Sequence, residues 1–417
     1  MSFARPLVRL LPLWGFIVLF KFGAALHYTL LPALGERILP VAVVGALVAA
    51  TALLQLFLDV PAGFLLDRYG YVRFLRVSTV VFIAAAVALL AGLSVPAFLA
   101  TLVLSVVGWL FYEPGINAYL LAHVPAAIAG RAIGTRDVMD SLGVVLAAVA
   151  ITFVIAAPVP TIGIILIIIL AIAALVLTFV PRDTASVHAE RKHPTHHYLV
   201  RRTFLHHAVR AFRRLRPASA LLMLAGFSAS AFYGIVWFVI PIAISRQEGS
   251  GIPGIGLGVF DFAIVLVGAL LGRLADRTDR QRLIFFGLLL FATAGAALGF
   301  SAGIWFLVLG FLATTGDELA STSLWAWLYH LDKDHAEDVI VAASISMVHD
   351  LGWTVGPLVA GFLLTPIGTT WTIVVGAGFV FAAWVVYAAV LGPRRAFALA
   401  VIPRPPFPRP HRRRHKR

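Results

Sequence analysis

Ionisable side chains interrupt several long apolar runs in this sequence of 417 residues, and they are the groups best suited to chemistry. A charged group at the centre of a bilayer costs about 2.5–3.5 kcal/mol on insertion scales, so each one needs a functional role or a pairing partner. We expect six of these residues to bind a solute or to exchange protons. They are Lys21, Asp59, Glu113, Asp317, Glu318 and Asp350.

Several of these residues have more than one interpretation. Asp350 is a carboxylate that takes up and releases a proton, or else a hydrogen-bond acceptor between packed helices. Asp317 and Glu318 point about 100° apart on a helix, so only one is expected to face a central cavity. Lys21 either pairs with Glu113 or Asp317, or extends toward the membrane interface.

Acidic groups outnumber basic groups within the apolar runs, which hold seven carboxylates, one lysine, two histidines and no arginine. Anionic ligands usually require arginine or lysine. Acidic sites with aromatic neighbours suit protons and organic cations instead. The sequence therefore favours a cationic, amphiphilic or neutral ligand.

The elements that position these groups are membrane-spanning helices. Hydrophobic residues make up 61% of the sequence and charged residues only 12%, a composition outside the range of soluble domains. A spanning helix needs roughly 20 apolar residues, and the chain divides into about twelve such runs. We predict an all-α integral membrane protein with its fifth helix at 136–157 and its last two at 338–364 and 369–392.

Basic residues support this layout, because cytoplasmic loops hold an excess of Lys and Arg. With both termini in the cytoplasm, 30 of the 33 basic residues, Arg131 and Arg136 included, lie at or beyond the helix ends on that side. The other three are Lys21, Arg37 and Arg246. We expect a multi-pass protein of the cell membrane.

The net charge of +14 follows from the same distribution. It is spread along one membrane face, so contacts with anionic lipid are expected and nucleic acid is not. The sequence contains no cysteine, and its histidine-rich stretch near 193–207 lacks carboxylates at ligand spacing. No metal or cofactor is expected.

One long basic segment divides the chain into halves. We predict six-helix bundles at 1–181 and 217–393, joined by a cytoplasmic linker at 182–216 that contains an amphipathic surface helix. Residues 394–417 are expected to form a disordered basic tail.

A repeat links the two halves. The stretch GFLLDRYGYVR begins at Gly63 and GRLADRTDRQR begins at Gly272, each between the second and third helices of its half. The matching pairs are Gly63 and Gly272, Asp67 and Asp276, Arg68 and Arg277, and Arg73 and Arg282. A weaker repeat relates 140–143 in the fifth helix to 350–352 in the eleventh.

The paired G-x-L-x-D-R-x-x-x-x-R loops resemble the signature loop of the major facilitator superfamily. The resemblance implies two pseudo-symmetric six-helix bundles, with the third, sixth, ninth and twelfth helices outside. Those four runs contain no ionisable residue. It also implies that the eight matched loop residues form a latch that stabilises one alternating-access state. The alternative is that their positive charges only set topology.

Together these features indicate a secondary active transporter of the drug/proton-antiporter type. We expect proton-coupled efflux of amphiphilic or cationic small molecules by alternating access, carried out by a monomer. One alternative is proton-coupled uptake of a sugar or other neutral solute. A second alternative is a non-transporting membrane sensor. Enzymatic patterns such as H-E-x-x-H and G-x-S-x-G do not occur, so an enzyme is not expected.

Overall fold

The computed structural model describes residues 10–124, 129–156, 161–181, 217–246, 254–331 and 335–391. These ranges contain eleven α-helices and a short 3-10 helix at Gly254–Leu257. The helices are α1 (Leu11–Gly35), α2 (Val41–Tyr69), α3 (Tyr71–Leu90), α4 (Val95–His123), α5 (Ala129–Ala156), α6 (Thr161–Leu177), α7 (Pro217–Ser245), α8 (Gly258–Arg277), α9 (Arg280–Leu298), α10 (Ile304–Leu331) and α11 (His335–Leu391).

Eight helices in the described part of the chain are long and apolar enough to cross a membrane. Shorter apolar helices occur at Thr161–Leu177 and Gly258–Gly268. The predicted linker at 182–216 and tail at 394–417 lie outside the described residues.

The described ranges show eleven helices where twelve were expected, because the last two predicted helices form one element of 57 residues. Gly368 interrupts α11 with φ 74° and ψ 176°, a conformation that glycine adopts without steric penalty. The segment after Gly368 then runs antiparallel to α9. A Cβ on Gly299 would contact Thr370, and the Tyr387 hydroxyl donates to the Gln281 carbonyl over 3.0 Å.

The helix ends lie at two faces of the molecule. We call the end that holds the α2–α3 junction at Gly70 and the α8–α9 junction at 278–279 the basic face. The other end, which holds the turns at 36–40, 91–94 and 299–303 together with Gly368, is the opposite face.

Glycines bring α5 and α11 into equivalent close contacts in the two halves. A Cβ on Gly143 of α5 would lie 2.7 Å from the Val18 carbonyl of α1, and one on Gly352 of α11 would lie 2.5 Å from the Phe227 carbonyl of α7. The weaker sequence repeat therefore corresponds to the same packing of the fifth helix of each half on the first.

Helix α6 presents an apolar surface away from the rest of the chain. Five of its β-branched side chains are strongly exposed, namely Ile162, Ile165, Ile169, Ile172 and Val176. A contiguous exposed apolar stripe of this kind is typical of a surface that contacts lipid.

Candidate functional site

A central cavity of about 500 Å³ lies between residues from both halves of the chain. Its lining comes from α1, α2, α4 and α5 of the first half and from α7, α8, α10 and the part of α11 before Gly368. Among the described residues, none from α3, α6, α9 or the segment after Gly368 lines it. In these elements charged residues occur only in the first two turns of α3 and the first turn of α9.

Four of the six predicted site residues line this cavity: Lys21, Glu113, Asp317 and Asp350. Glu318 does not. Its carboxylate accepts a hydrogen bond from the Thr322 hydroxyl over 3.2 Å and lies beside Gly268 of α8. Asp317 is thus the member of the neighbouring pair that faces the cavity. The side chain of Asp59 lies outside what the structure describes.

Asp140 of α5 is the centre of a charge network in the first half. Its Oδ2 lies 3.5 Å from Lys21 Nζ and 2.9 Å from Arg136 Nη2, and its Oδ1 accepts a hydrogen bond from the Tyr112 hydroxyl over 2.8 Å. The expected partners of Lys21 were Glu113 or Asp317, and this expectation is wrong, since the ion pair joins Lys21 to Asp140.

Arg136 connects the network to α4. Its Nη2 also lies 3.1 Å from Glu113 Oε1, and its Nη1 lies 3.2 Å from Asp137 Oδ1. Arg136 was expected at the cytoplasmic end of the fifth helix, but α5 begins about two turns earlier, at Ala129, and carries it inside the fold. Its side chain is only 10% exposed. We call Lys21, Tyr112, Glu113, Arg136, Asp137 and Asp140 the first-half charge network.

Aromatic rings hold the Lys21 ammonium on its other side. Nζ lies 4.6 Å from the centre of the Trp109 ring and 5.3 Å from that of Tyr112. Cation–π contacts of this kind strengthen when water is excluded. Both cationic groups of the network are therefore already occupied by partners from their own half.

The carboxylates of the second half are placed differently. Asp261 of α8, Asp317 of α10 and Asp350 of α11 all line the cavity. Asp350 lies 3.8 Å from the ring of its neighbour His349. Within the described ranges, neither Asp261 nor Asp317 forms an ion pair, although the Tyr233 hydroxyl contacts Asp317. Asp261 was visible in the sequence as an ionisable residue in an apolar run, but it was not among the six predicted.

The cavity is closed at the opposite face by contacts between the halves. Arg246 Nε at the end of α7 lies 2.7 Å from Glu36 Oε2 at the end of α1, and the Ser245 hydroxyl also donates to Glu36. Helices α2 and α11 touch along glycines, since a Cβ on Gly45 would lie 2.9 Å from Gly361 Cα.

Toward the basic face, charged side chains around the cavity are accessible. The side chains of Glu113, Asp137, His349 and Asp350 are each about half exposed. In the part of the chain that the structure describes, the cavity is therefore closed at the opposite face, and its charged side chains toward the basic face are accessible.

A family model for the Major Facilitator Superfamily matches residues 13–347. The chain belongs to the Major Facilitator Superfamily. Several solved members share its fold. A mutant of the nucleoside transporter NupG has a TM-score of 0.71 at 13% identity, with 92% of this chain and 100% of that chain covered.

Two further structures extend the comparison. A mutant of the peptide transporter POT in complex with sulfate has a TM-score of 0.72 at 13% identity, over 92% of this chain and 94% of that one. A mutant of the fucose:proton symporter FucP of E. coli has a TM-score of 0.58 at 15% identity, over 93% and 99%. No curated protein matches the sequence. At these identities the likeness shows a shared fold.

Membership of the Major Facilitator Superfamily, with several apolar helices long enough to span a bilayer, makes the chain a multi-pass membrane protein. Family and fold neighbours point to a transporter rather than an enzyme. The part of the chain that the structure describes contains no cluster of three His, Cys, Asp or Glu residues able to hold a metal ion.

The superfamily signature stretches lie largely inside helices, because α2 continues to Tyr69 and α8 to Arg277. The structure does not describe the surroundings of Gly63 and Gly272 or the side chains of Asp67, Asp276 and Arg277. Of the other three predicted latch residues, Arg68 stacks on the adjacent Tyr69 ring at 5.2 Å and Arg73 is exposed. Arg282 Nε lies 3.4 Å from Asp279 Oδ2, and Asp279 also caps α9 by accepting a hydrogen bond from the Gln281 amide.

Proposed function

We propose that this chain is a secondary active transporter that moves a small solute by alternating access. The cavity supports this proposal, because both halves line it and, among the described residues, contacts between them close it at the opposite face. A transporter needs a binding site near the bilayer midplane whose access can pass from one face to the other.

The substrate class follows from the distribution of charge in the cavity. Lys21 and Arg136 are neutralised by Asp140 and Glu113. Asp261 and Asp317 have no cationic partner within ion-pair distance in the described chain, and the cavity wall around them is aromatic, with Trp237, Phe238, Phe260 and Trp353. Aromatic faces beside carboxylates bind organic cations. This one observation carries the proposal that the substrate is a cationic or amphiphilic small molecule.

Proton exchange at the cavity carboxylates would drive efflux of that substrate. In this proposal Asp317 and Asp350 contribute to substrate binding and proton coupling, while Lys21 and Glu113 belong to the wall that shapes the site. Asp59 remains a candidate coupling residue, whereas Glu318, which lies outside the cavity lining, is given no part in binding or coupling in this proposal.

The remaining architecture is proposed on the same basis. The two parts of α11 on either side of Gly368 count as separate crossings, which gives twelve helices in two six-helix bundles. Both termini and the basic linker lie in the cytoplasm, where they contact anionic lipid. The repeated signature residues act as a latch between the bundles, and the transporter works as a monomer in the cell membrane.

Transport in proteoliposomes that enclose a pH-sensitive dye tests this function. We expect organic cations to trigger proton movement through the wild type, and sugars and organic anions to trigger none. Asp317→Asn should abolish the response. Glu318→Gln is the matched control, because it neutralises the adjacent carboxylate, which does not line the cavity. An equal loss in both variants would contradict the assignment of Asp317 to the site.

Neutral polar groups in the cavity favour a second candidate. Gln55, Thr51, Ser105 and Thr314 line the wall and could bind the hydroxyl groups of a neutral solute. Under this alternative the protein is a proton-coupled symporter. The same assay separates the two, since a symporter moves protons and sugar inward together. If no solute is transported in this assay, the protein acts as a non-transporting membrane sensor.

A further inference from the structure

Asp261 lies where the two halves meet. It occupies the first turn of α8, lines the cavity and forms a side-chain hydrogen bond with Ser141 of α5. Helices α5 and α8 are in tight contact beside it, since a Cβ on Gly258 would lie 2.6 Å from the Ala148 Cβ. This contact must separate when the opposite face opens.

The charges around Asp261 come from the elements packed on α8. Lys21 of α1 and Asp140 of α5 act on it electrostatically. Helix α10 contributes Asp317, which lines the same cavity, and Glu318, which lies beside Gly268, about two turns along α8. The charged residues of α9 are Arg280 and Arg282, at the basic face, and the 3-10 helix at Gly254–Leu257 has no ionisable side chain. Lys21 is therefore the cation that faces Asp261.

Lys21 can leave Asp140 without leaving that carboxylate unpaired. Arg136 and the Tyr112 hydroxyl both contact Asp140, at 2.9 and 2.8 Å, closer than Lys21 at 3.5 Å. Removing one of several donors from a buried carboxylate is much less unfavourable than removing its last one. Among the described residues, Asp261 has no cation within ion-pair distance.

We propose that Asp261 carries the coupling proton and that Lys21 moves between Asp140 and Asp261 according to whether that proton is bound. When Asp261 releases its proton to the cavity, the carboxylate becomes anionic and the Lys21 ammonium replaces the proton as its positive neighbour. The resulting ion pair ties α1 of the first half to α8 of the second. The structure, with Lys21 on Asp140, corresponds to the state in which Asp261 is protonated.

This arrangement couples the two fluxes, and it deepens the proposed function, on which it rests. Either a proton or an organic cation neutralises Asp261 and releases Lys21, so either one allows the halves to separate at the opposite face. When neither a proton nor a substrate is bound, the ion pair between Lys21 and Asp261 holds α1 and α8 together. Proton and substrate therefore compete for one carboxylate and cross in turn.

Tryptophan fluorescence of the purified full-length protein tests the switch without any substrate. Trp109 lies 4.6 Å from Lys21 Nζ, so its emission reports the position of the ammonium. The Trp109 signal is the difference between the wild type and Trp109→Phe. We expect it to change with pH, and we expect the change to be lost in Asp261→Asn and in Lys21→Gln.

Matched variants decide the outcome. Asp261→Glu restores a carboxylate and should restore the pH response, while Glu318→Gln should leave it in place. Persistence of the response in a folded Asp261→Asn protein, or its loss in Asp317→Asn alone, would overturn the proposal. The fluorescence measurement needs no solute, so it tests the switch separately from transport. If the pH response depends on Asp261 but the protein transports no solute, the proposed function is refuted and the switch stands. Normal proton-coupled cation transport by the Asp261→Asn variant would refute the switch and leave the proposed function standing.

Discussion

At the scale of residues, Arg136 supplies the positive charge that the three carboxylates of the first-half charge network share. Three carboxylates lie within 3.2 Å of its guanidinium, and no other arginine contacts them among the described residues. Removing one member of a buried ion pair typically destabilises a protein by about 3–5 kcal/mol, because a charge is left without a partner. The exposed side of Glu113 weakens this effect through solvent screening.

We therefore expect Arg136→Gln to lower the thermal unfolding midpoint in detergent, with a loss of stability on the order of 2–3 kcal/mol. Arg37→Gln is the control, since Arg37 is exposed at the opposite face and its replacement should change stability by less than about 0.5 kcal/mol. Equal midpoints for the two variants would show that the network does not stabilise the fold.

The sequence could locate individual site residues better than it could pair them. Lys21, Glu113, Asp317 and Asp350 were found because a charge within an apolar run is visible in one dimension. Arg136 was missed because a hydropathy pattern treats the charged first turns of α5 as loop. The partner of Lys21 depends on which helices are neighbours, and only the packing of α5 on α1 shows this.

At the scale of elements, Gly143 sets how closely α5 approaches α1. A Cβ at this position would lie 2.7 Å from the Val18 carbonyl and 2.8 Å from the Lys21 Cβ, so the helices must shift to accept it. The expected result of Gly143→Ala is a destabilisation of about 1–3 kcal/mol by overpacking. A shift of α1 would also lengthen the Lys21–Asp140 pair.

Gly134→Ala on the same helix is the matched control. No atom lies within 4 Å of the Cβ position at Gly134, and alanine favours a helix over glycine by roughly 0.5–1 kcal/mol. Thermal unfolding should therefore show opposite signs for the two substitutions. A similar loss in both would mean that glycine flexibility, rather than close approach, matters in α5.

The helices themselves were largely predictable, because runs of about 20 apolar residues leave few other structures open in a membrane. What the sequence did not show is how short the turn between the two parts of α11 is. Pro366 and Gly368 were read as a loop between two helices, whereas the structure needs only the single non-helical residue Gly368 to reverse the chain. Hydropathy records where apolar runs end, not how many residues a turn requires.

At the scale of the whole molecule, the contact between Glu36 and Arg246 links the ends of the two halves at the opposite face. The side chains are 11% and 31% exposed, so the pair is partly shielded from water. In the proposed alternating-access cycle, this contact breaks whenever the opposite face opens. Its strength therefore helps to set the balance between the two states, independently of which solute is carried.

Spin-label distances measure this balance directly. The sequence contains no cysteine, so Ala91→Cys and Ala302→Cys introduce the only two thiols, one in the exposed turn of each half at the opposite face. We expect Arg246→Gln to add a longer distance to the distribution. A pair of this kind contributes about 1 kcal/mol, and losing that amount raises the open population about fivefold.

Two controls separate a lost ion pair from a general disturbance. Arg37→Gln removes a neighbouring exposed arginine from the same turn as Glu36 and should leave the distances unchanged. The double exchange Glu36→Arg with Arg246→Glu reverses the pair and should return the distribution toward that of the wild type. If Arg246→Gln and Glu36→Gln both keep the wild-type distances, the halves are held at this face by the glycine contact of α2 with α11 instead.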